Sequence, residues 1–365
     1  MKIKRILKWT AAVVFLGLFA WFFIAYWTSS NDCDRKTAAP NNPMKAIVYC
    51  EYGPPEVLQL KEIEKPTPAD NEVLVKVRAA GTNPLDGMHT GRARIVTGLR
   101  KPRLTRAGTD FAGTVEAVGK NVTAFKPGDE VFGAKTGAFA EYICVRDDRA
   151  IVLKPANVTF EEAGSVPVAA ITALQGLRDK GNVQPWQKVL INGASGGVGT
   201  FAVQIAKSLG ADVTGVCSTK NVDLVRSLGA DHVIDYTKED FAKGEQRYDV
   251  ILDNVPNHSL SECRRILNPN GKYVMIGGGG PNDSRWIGPF GRVINTMILS
   301  PFVSQKMGMM MADPSQKDLA VLADMIQSGK VKPVIDRTYK LSEVPEAIRY
   351  LEQGHARGKV VITVD

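Results

Sequence analysis

From Lys188 the chain reads KVLINGASGGVGTFAVQIAKSLGADVTGVCSTK, an apolar strand that runs into Gly193-Ala194-Ser195-Gly196-Gly197-Val198-Gly199 and then into an amphipathic helix. Glycine permits a tight turn and lets backbone N–H groups approach an anion with no side chain between them. The N-terminus of the helix adds partial positive charge. That arrangement suits a pyrophosphate. The spacing is Ala194-x-Gly196-x-x-Gly199, with alanine where the GxGxxG fingerprint has its first glycine. A strand before, a helix after and a second strand ending about twenty residues on favour a dinucleotide site over a glycine-rich turn. The second strand ends Val216-Cys217-Ser218-Thr219-Lys220, without a carboxylate. An acid there would hold a ribose 2′-hydroxyl, whereas Ser218 and Lys220 suit a 2′-phosphate. Lys220 taken alone reads as a solvated lysine. The expected cofactor is NADPH.

The elements around this loop alternate helix and strand. Helices are expected at Glu161–Lys180, Gly199–Leu209 and Val222–Leu228. Strands are expected at Lys188–Ile191, Asp212–Val216, Val233–Asp235, Val250–Leu252 and Tyr273–Ile276. Such alternation argues a parallel, doubly wound sheet. Before it lie short apolar or alternating runs at Lys45–Tyr49, Glu72–Arg78, Gly113–Val118 and Ala138–Val145, bounded by Gly, Pro, Asn and Asp, which read as a β-rich half. After it come a helix (Lys317–Ser328), a strand (Val334–Tyr339), a helix (Val344–Glu352) and a closing strand (Lys359–Val364).

With 365 residues, 44% hydrophobic and 23% charged, the chain has the make-up of a globular protein of about two domains. Five scattered cysteines without a CxxC pair exclude a disulfide scaffold and argue against a thiolate zinc cluster. The formal charge is +8, but Lys2, Lys4, Arg5 and Lys8 contribute half of it. The rest shows no long basic run, so nucleic acid is not an expected partner.

Those four charges precede Trp9–Trp27, nineteen residues without a charge and with tryptophan at both ends. As a helix it would span roughly 28 Å, near the thickness of a hydrocarbon core. The expectation is a basic flank at 1–8, a single transmembrane helix at 9–27 and a linker at 28–43. A cleaved signal peptide is the main alternative, but its apolar region runs about 7–15 residues and a small-x-small cleavage site is missing here. A buried core helix is the third option. The positive flank places the main domain across the membrane from the N-terminus. A supply of NADPH favours the cytoplasm, which is the placement expected here.

From about Met44 to Asp365 the chain resembles the zinc-independent, zeta-crystallin-like quinone oxidoreductase branch of the medium-chain dehydrogenase/reductase superfamily. The resemblance is carried by AAGTNPLD (Ala79–Asp86), GTDFAGTVEAVG (Gly108–Gly119), FKPGDEVFG (Phe125–Gly133), GAFAEY (Gly137–Tyr142), SVPVAAITALQGL (Ser165–Leu177), LGADHVIDY (Leu228–Tyr236) and HARGKVVI (His355–Ile362), together with the glycine loop. It implies an α/β protein with a GroES-like catalytic domain made of residues 44–164 and 303–365, and a Rossmann domain at 165–302 inserted between them. The cofactor would lie in the cleft, the substrate would be a quinone, enone or related carbonyl compound, and a homodimer is usual among relatives. Zinc-dependent relatives use Cys, His and Cys where this chain has Asn83, Thr109 and Val168, so no metal is expected.

The resemblance also distributes roles. Asn83 would sit near the nicotinamide, although it also reads as a turn residue before Pro84. Asp86 would orient neighbouring groups or cap a helix. Many relatives carry a Tyr shortly after this segment as proton donor; here Met88 and His89 follow, and His89 reads either as a donor or as an exposed loop residue. Ser195, Gly196, Gly197, Val198 and Gly199 would hold the pyrophosphate, with Ser218 and Lys220 at the 2′-phosphate and Tyr236 beside the adenosine. Asn254, Val255, Gly277 and Gly278 would lie on the nicotinamide side, and Thr172 and Lys359 would face the cofactor. The segment Trp286–Met311 reads as helix or dimer packing, or as a flexible apolar lip. A non-catalytic NADPH-binding scaffold and an alcohol dehydrogenase-type activity are the competing functions.

Overall fold

The computed structural model describes residues 23–24, 26–34, 39–91, 94–276 and 304–365. Most of the apolar stretch 9–27, the glycines Gly277 and Gly278, and most of Trp286–Met311 lie outside them. No helix among the described residues is long and apolar enough to cross a membrane.

Fifteen strands are described: β1 (Pro43–Val48), β2 (Gln59–Glu64), β3 (Glu72–Gly81), β4 (Asp110–Val118), β5 (Glu130–Ala134), β6 (Tyr142–Arg146), β7 (Ile151–Leu153), β8 (Lys188–Asn192), β9 (Asp212–Cys217), β10 (His232–Asp235), β11 (Tyr248–Asp253), β12 (Leu267–Ile276), β13 (Lys306–Met310), β14 (Ile335–Lys340) and β15 (Lys359–Thr363). They form two large sheets and one small one. The β-rich half is a seven-stranded sheet ordered β14-β15-β3-β4-β5-β7, with β6 also paired to β3, beside the β1–β2 hairpin. The other half is a six-stranded sheet ordered β10-β9-β8-β11-β12-β13, parallel at every pairing. The closing strand β15 returns to the first half and pairs antiparallel with β3. Both chain ends therefore build one domain, with the parallel sheet inserted between them, but β13 (Lys306–Met310) carries that sheet past the boundary expected at 302/303.

Each half has its own core. Val75, Phe111, Val131 and Ile362 are fully buried in the first, and Ile191, Phe201, Ala202 and Leu252 in the second. Burying each of the Val, Ile, Leu and Phe side chains among these contributes roughly 1.5–3 kcal/mol. The helix expected over Glu161–Lys180 is three pieces: Phe160–Gly164, Pro167–Gln175 and a wider turn at Gly176–Lys180. Thr159 starts the first piece with a capping box, and Pro167 starts the second at its first turn, where its missing N–H costs nothing. The described end of the Trp286–Met311 segment is an edge strand, β13, not a helix.

Cysteine counting missed one feature. Cys33 and Cys50 form a disulfide, and the Asn31 side-chain amide donates to the Cys50 carbonyl at 2.8 Å. A single bridge across seventeen residues has no spacing signature; folding of β1 brings the two thiols together.

Candidate active site

In the parallel sheet the strand order reverses between β8 and β11, and the crevice beyond their carboxyl ends is where such sheets take ligands. The glycine loop leaves β8 at this point. Gly193 has φ +73°, and a Cβ there would lie 2.7 Å from Val255 Cγ2. A Cβ on Gly199 would lie 2.1 Å from the Gly193 carbonyl, so this glycine is required for the helix to pack against its strand. A Cβ on Gly196 would meet only the Gly193 carbonyl, at 3.5 Å, and that space is open to a ligand. Gly196 caps the Gly197–Ser208 helix without a side-chain acceptor, which leaves its first turn to a bound anion.

Asn221 had no assigned role in the sequence reading. Its Nδ2 donates to Ser195 Oγ at 3.0 Å and to Ser218 Oγ at 3.3 Å, so it ties the glycine loop to the end of β9. Lys220 and Tyr236 are exposed nearby, and Val198 is half-buried. The end of β9 itself lacks a carboxylate, but Asp235 lies beside it in the β10–β9 register. Its oxygens accept from Thr219 Oγ1 (2.6 Å), Thr237 Oγ1 (2.8 Å) and the Thr237 N–H (3.1 Å), and the Thr219 hydroxyl leads the causes that hold its pKa below the usual carboxylate range.

Two buried acceptors have no partner among the described residues: Asn221 Oδ1 after β9 and Asn254 Oδ1 after β11. Asn254 uses its Nδ2 on the Asn192 carbonyl at 2.9 Å. Unpaired buried acceptors cost about 1–3 kcal/mol each, which a ligand donor would relieve. With the open Gly196 face between them, these groups fit a dinucleotide. Thr172 is buried, and its hydroxyl donates to Val168 O at 2.6 Å within its own helix.

Across the cleft, three distant parts of the chain meet in a buried polar cluster. Asn83 and Asp86 belong to the Pro84–Thr90 turn and its entry, Asp110 opens β4 and Lys359 opens β15. Lys359 Nζ donates to Thr82 O and Asn83 Oδ1, both at 2.7 Å, and pairs with Asp110 Oδ2 at 3.3 Å. Asn83 Nδ2 donates to the same Asp110 oxygen at 2.9 Å, and the Val168 N–H donates to the other at 2.9 Å. The side-chain amide of Asn83 is thus held at both ends. Lys359 does not present its ammonium to the loop: its stem lies beside Gly197, where a Cβ would come within 3.1 Å of Lys359 Cδ. Its neighbour completes the seam, since the Gly358 N–H donates to Ser195 O at 2.9 Å.

Asp86 accepts the Asn83 N–H at 2.7 Å and lies 3.5 Å from Thr109 Oγ1. Burial pushes its pKa up to about 7; the Asn83 N–H opposes the shift and the Asp110 charge adds to it. Burial also raises Asp110, against the pull of Lys359. His89 is fully buried, not an exposed loop residue, with Nδ1 3.2 Å from Asp86 O. Tyr49, which enters from the β1 end, is pushed up to about 12 by burial first, then by Tyr52 and Asp86. That makes it a poor acid at neutral pH.

The three zinc-ligand positions hold an amide fixed by Asp110 and Lys359, a hydroxyl and an isopropyl group. The cation already held by this cluster is the Lys359 ammonium. This donor set does not fit zinc.

A parallel sheet with a glycine loop, inserted into a β-rich domain that carries a charged cluster at the cleft, defines a two-domain dinucleotide-dependent enzyme fold. Residues 69–156 match the alcohol dehydrogenase GroES-like domain, and residues 228–362 match a model described as zinc-binding dehydrogenase. The mouse protein NAD(P)H oxidoreductase RTN4IP1, mitochondrial, is 34% identical over 90% of this chain and 91% of its own length. The NADPH-dependent alkenal/one oxidoreductase, chloroplastic, of Arabidopsis thaliana is 35% identical over 87% of this chain and 79% of its own. The structure of Escherichia coli quinone oxidoreductase complexed with NADPH superposes with a TM-score of 0.75 at 26% identity, covering 87% of this chain and 99% of that one. The chain belongs to the medium-chain dehydrogenase/reductase superfamily, among its quinone oxidoreductase-like members.

Proposed function

We propose that this chain is a membrane-held, NADPH-dependent reductase of quinones, enones or related carbonyl compounds that works without zinc. The observation that carries the reading is the seam at Gly358–Lys359, which joins the glycine loop to the Asn83–Asp110 cluster and sets one side of the cleft against the other. The bound nicotinamide supplies a hydride. Gly196 leaves room for the pyrophosphate at the start of the Gly197–Ser208 helix, Asn221 positions Ser195 and Ser218, and Lys220 offers charge to a 2′-phosphate. Asn254 Oδ1 offers an acceptor on the nicotinamide side. Asp86 is where the chain keeps a proton inside the site near neutral pH. NADPH oxidation by the full-length protein, assayed with quinones and α,β-unsaturated carbonyls, tests the reading. Cofactor binding without turnover of any acceptor would leave a non-catalytic NADPH-binding scaffold in its place.

The membrane-held part of the proposal rests on the uncharged stretch Trp9–Trp27. Its side is argued from the disulfide. Cys33–Cys50 is a bridge of oxidising compartments, and it agrees with the basic flank at 1–8 in putting the domain across the membrane from the N-terminus. This reverses the cytoplasmic placement expected from cofactor supply, and it requires an oxidising compartment that also holds reduced nicotinamide. Thiol labelling of protein taken directly from cells checks it: Cys33 and Cys50 should resist alkylation until reduced. Free thiols at both positions would return the domain to the cytoplasmic side.

A further inference from the structure

Between Asp86 and Asp110 the chain has no carboxylate, and residues 94–107 carry Arg94, Arg100, Lys101, Arg103 and Arg106. The cations are interspersed with apolar residues, so they do not read as a basic run. In sequence the tract follows the Pro84–Thr90 turn, which holds Asp86, and precedes Asp110, so it connects two members of the buried polar cluster. Tyr52 braces it from the β1 side, donating to Gly98 O at 2.8 Å.

The described end of the apolar stretch lies on this tract. The Arg100 guanidinium is 5.2 Å from the Trp27 ring centroid, and the Lys101 N–H donates to Ser29 Oγ at 3.4 Å. The disulfide pins the following turn to Cys50. Phe23, Ile24 and Trp27 are each more than half exposed, and Leu104 is 45% exposed. Arg100, Arg103 and Arg106 are exposed, and among the described residues none of the three forms an ion pair. Exposed arginines beside interfacial aromatic and aliphatic side chains match the headgroup layer of an anionic bilayer, which takes charge and apolar groups at different depths. A nucleic acid would match the charge but not the apolar side chains.

We infer that residues 94–107, with the Phe23–Trp27 end of the tether, seat on anionic lipid headgroups and turn this wall of the cleft toward the bilayer. The inference rests on the membrane-held reading and adds the lipid chemistry and the orientation. It favours acceptors drawn from the membrane over acceptors from solution.

The test is hydrogen exchange of residues 94–107 in the full-length protein, reconstituted in discs of phosphatidylcholine alone or mixed with phosphatidylglycerol. Exchange should slow about tenfold or more in the anionic discs, where the arginines are held against the charged headgroups. The slowing should disappear in about 1 M salt, where the screening length falls to roughly 3 Å. It should also disappear in the variant R100Q/R103Q/R106Q, which should still oxidise NADPH with a water-soluble short-chain quinone. Equal exchange in the two lipids, with the protein retained by both, overturns the lipid seat. Slowing by a coenzyme A thioester in neutral discs, without any effect of anionic lipid, assigns the patch to a soluble phosphate and also overturns it. Loss of the protein from both disc types on alkaline washing overturns the membrane-held reading itself.

Discussion

The dinucleotide side of the cleft is centred on one contiguous stretch, Gly193–Gly199, whereas the opposite side is assembled from residues 83, 86, 110 and 359. The first works through what is absent: side chains that would block an anion or separate helix from strand. The second works through charges removed from water, each stable only because another part of the chain supplies its partner. A local motif fails locally when altered, but a long-range buried cluster fails as a unit.

The largest expected effect follows from that difference. Lys359→Met leaves Asp110 buried without its cation and should cost about 3–5 kcal/mol of unfolding free energy. Adding Asp110→Asn should recover much of the loss, measured by denaturant titration of both variants. A single variant as stable as the parent would show that the pair is not what holds the two chain ends together.

On the glycine side, two substitutions should separate packing from binding. Gly199→Val forces a Cβ to within 2.1 Å of a backbone carbonyl and should lose about 1–3 kcal/mol of stability together with cofactor affinity. Gly196→Val, where the space is open, should keep the stability and lose only the binding. Equal losses of stability would erase the distinction. Smaller again is Lys220→Glu, which exchanges an attraction of roughly 1.5–3 kcal/mol for a repulsion and should reverse a preference for NADPH over NADH in titrations of both.

A slope with pH is a further test of the buried side. Asp86 binds its proton more tightly folded, with a pKa of about 7, than unfolded, where a carboxyl titrates near 4. The folded state therefore holds the extra proton between those values, and stability should fall as pH rises from about 4 to about 7. Asp86→Asn should flatten that part of the stability curve. An unchanged slope would move the titration to another group.

Much of this was legible in the chain. The glycine loop and its flanking strand and helix were readable because each depends on neighbours in sequence, whereas the return of the closing strand to the first half was implied only by the family resemblance. Short strands such as β2, β5 and β7 escaped notice, since three to six residues, mostly exposed in β2, carry too little of an alternating apolar pattern to read. His89 was read as either a donor or an exposed loop residue, and it is fully buried, in a Pro84–Thr90 turn that packs against the Val344–Glu352 helix and the Pro55–Val57 turn. Asp110 sat inside a recognised motif without an assigned role, because a carboxylate at a strand start has no signature of its own. Asn221 escaped for the same reason, its value lying in the two hydroxyls it joins.

The sequence by itself determined the backbone chemistry of the dinucleotide loop, the lack of zinc ligands at Asn83, Thr109 and Val168, and an apolar stretch long enough to span a bilayer. Those are properties of residue type and near spacing. Only the tertiary structure decided that Lys359 turns its ammonium to Asp110 and Asn83, that Cys33 meets Cys50, and that Arg100 lies against Trp27. Burial decides the first, because a charge out of water takes the partner the fold brings to it. Chain closure decides the others, since positions far apart in sequence acquire a common chemistry only when strands pair.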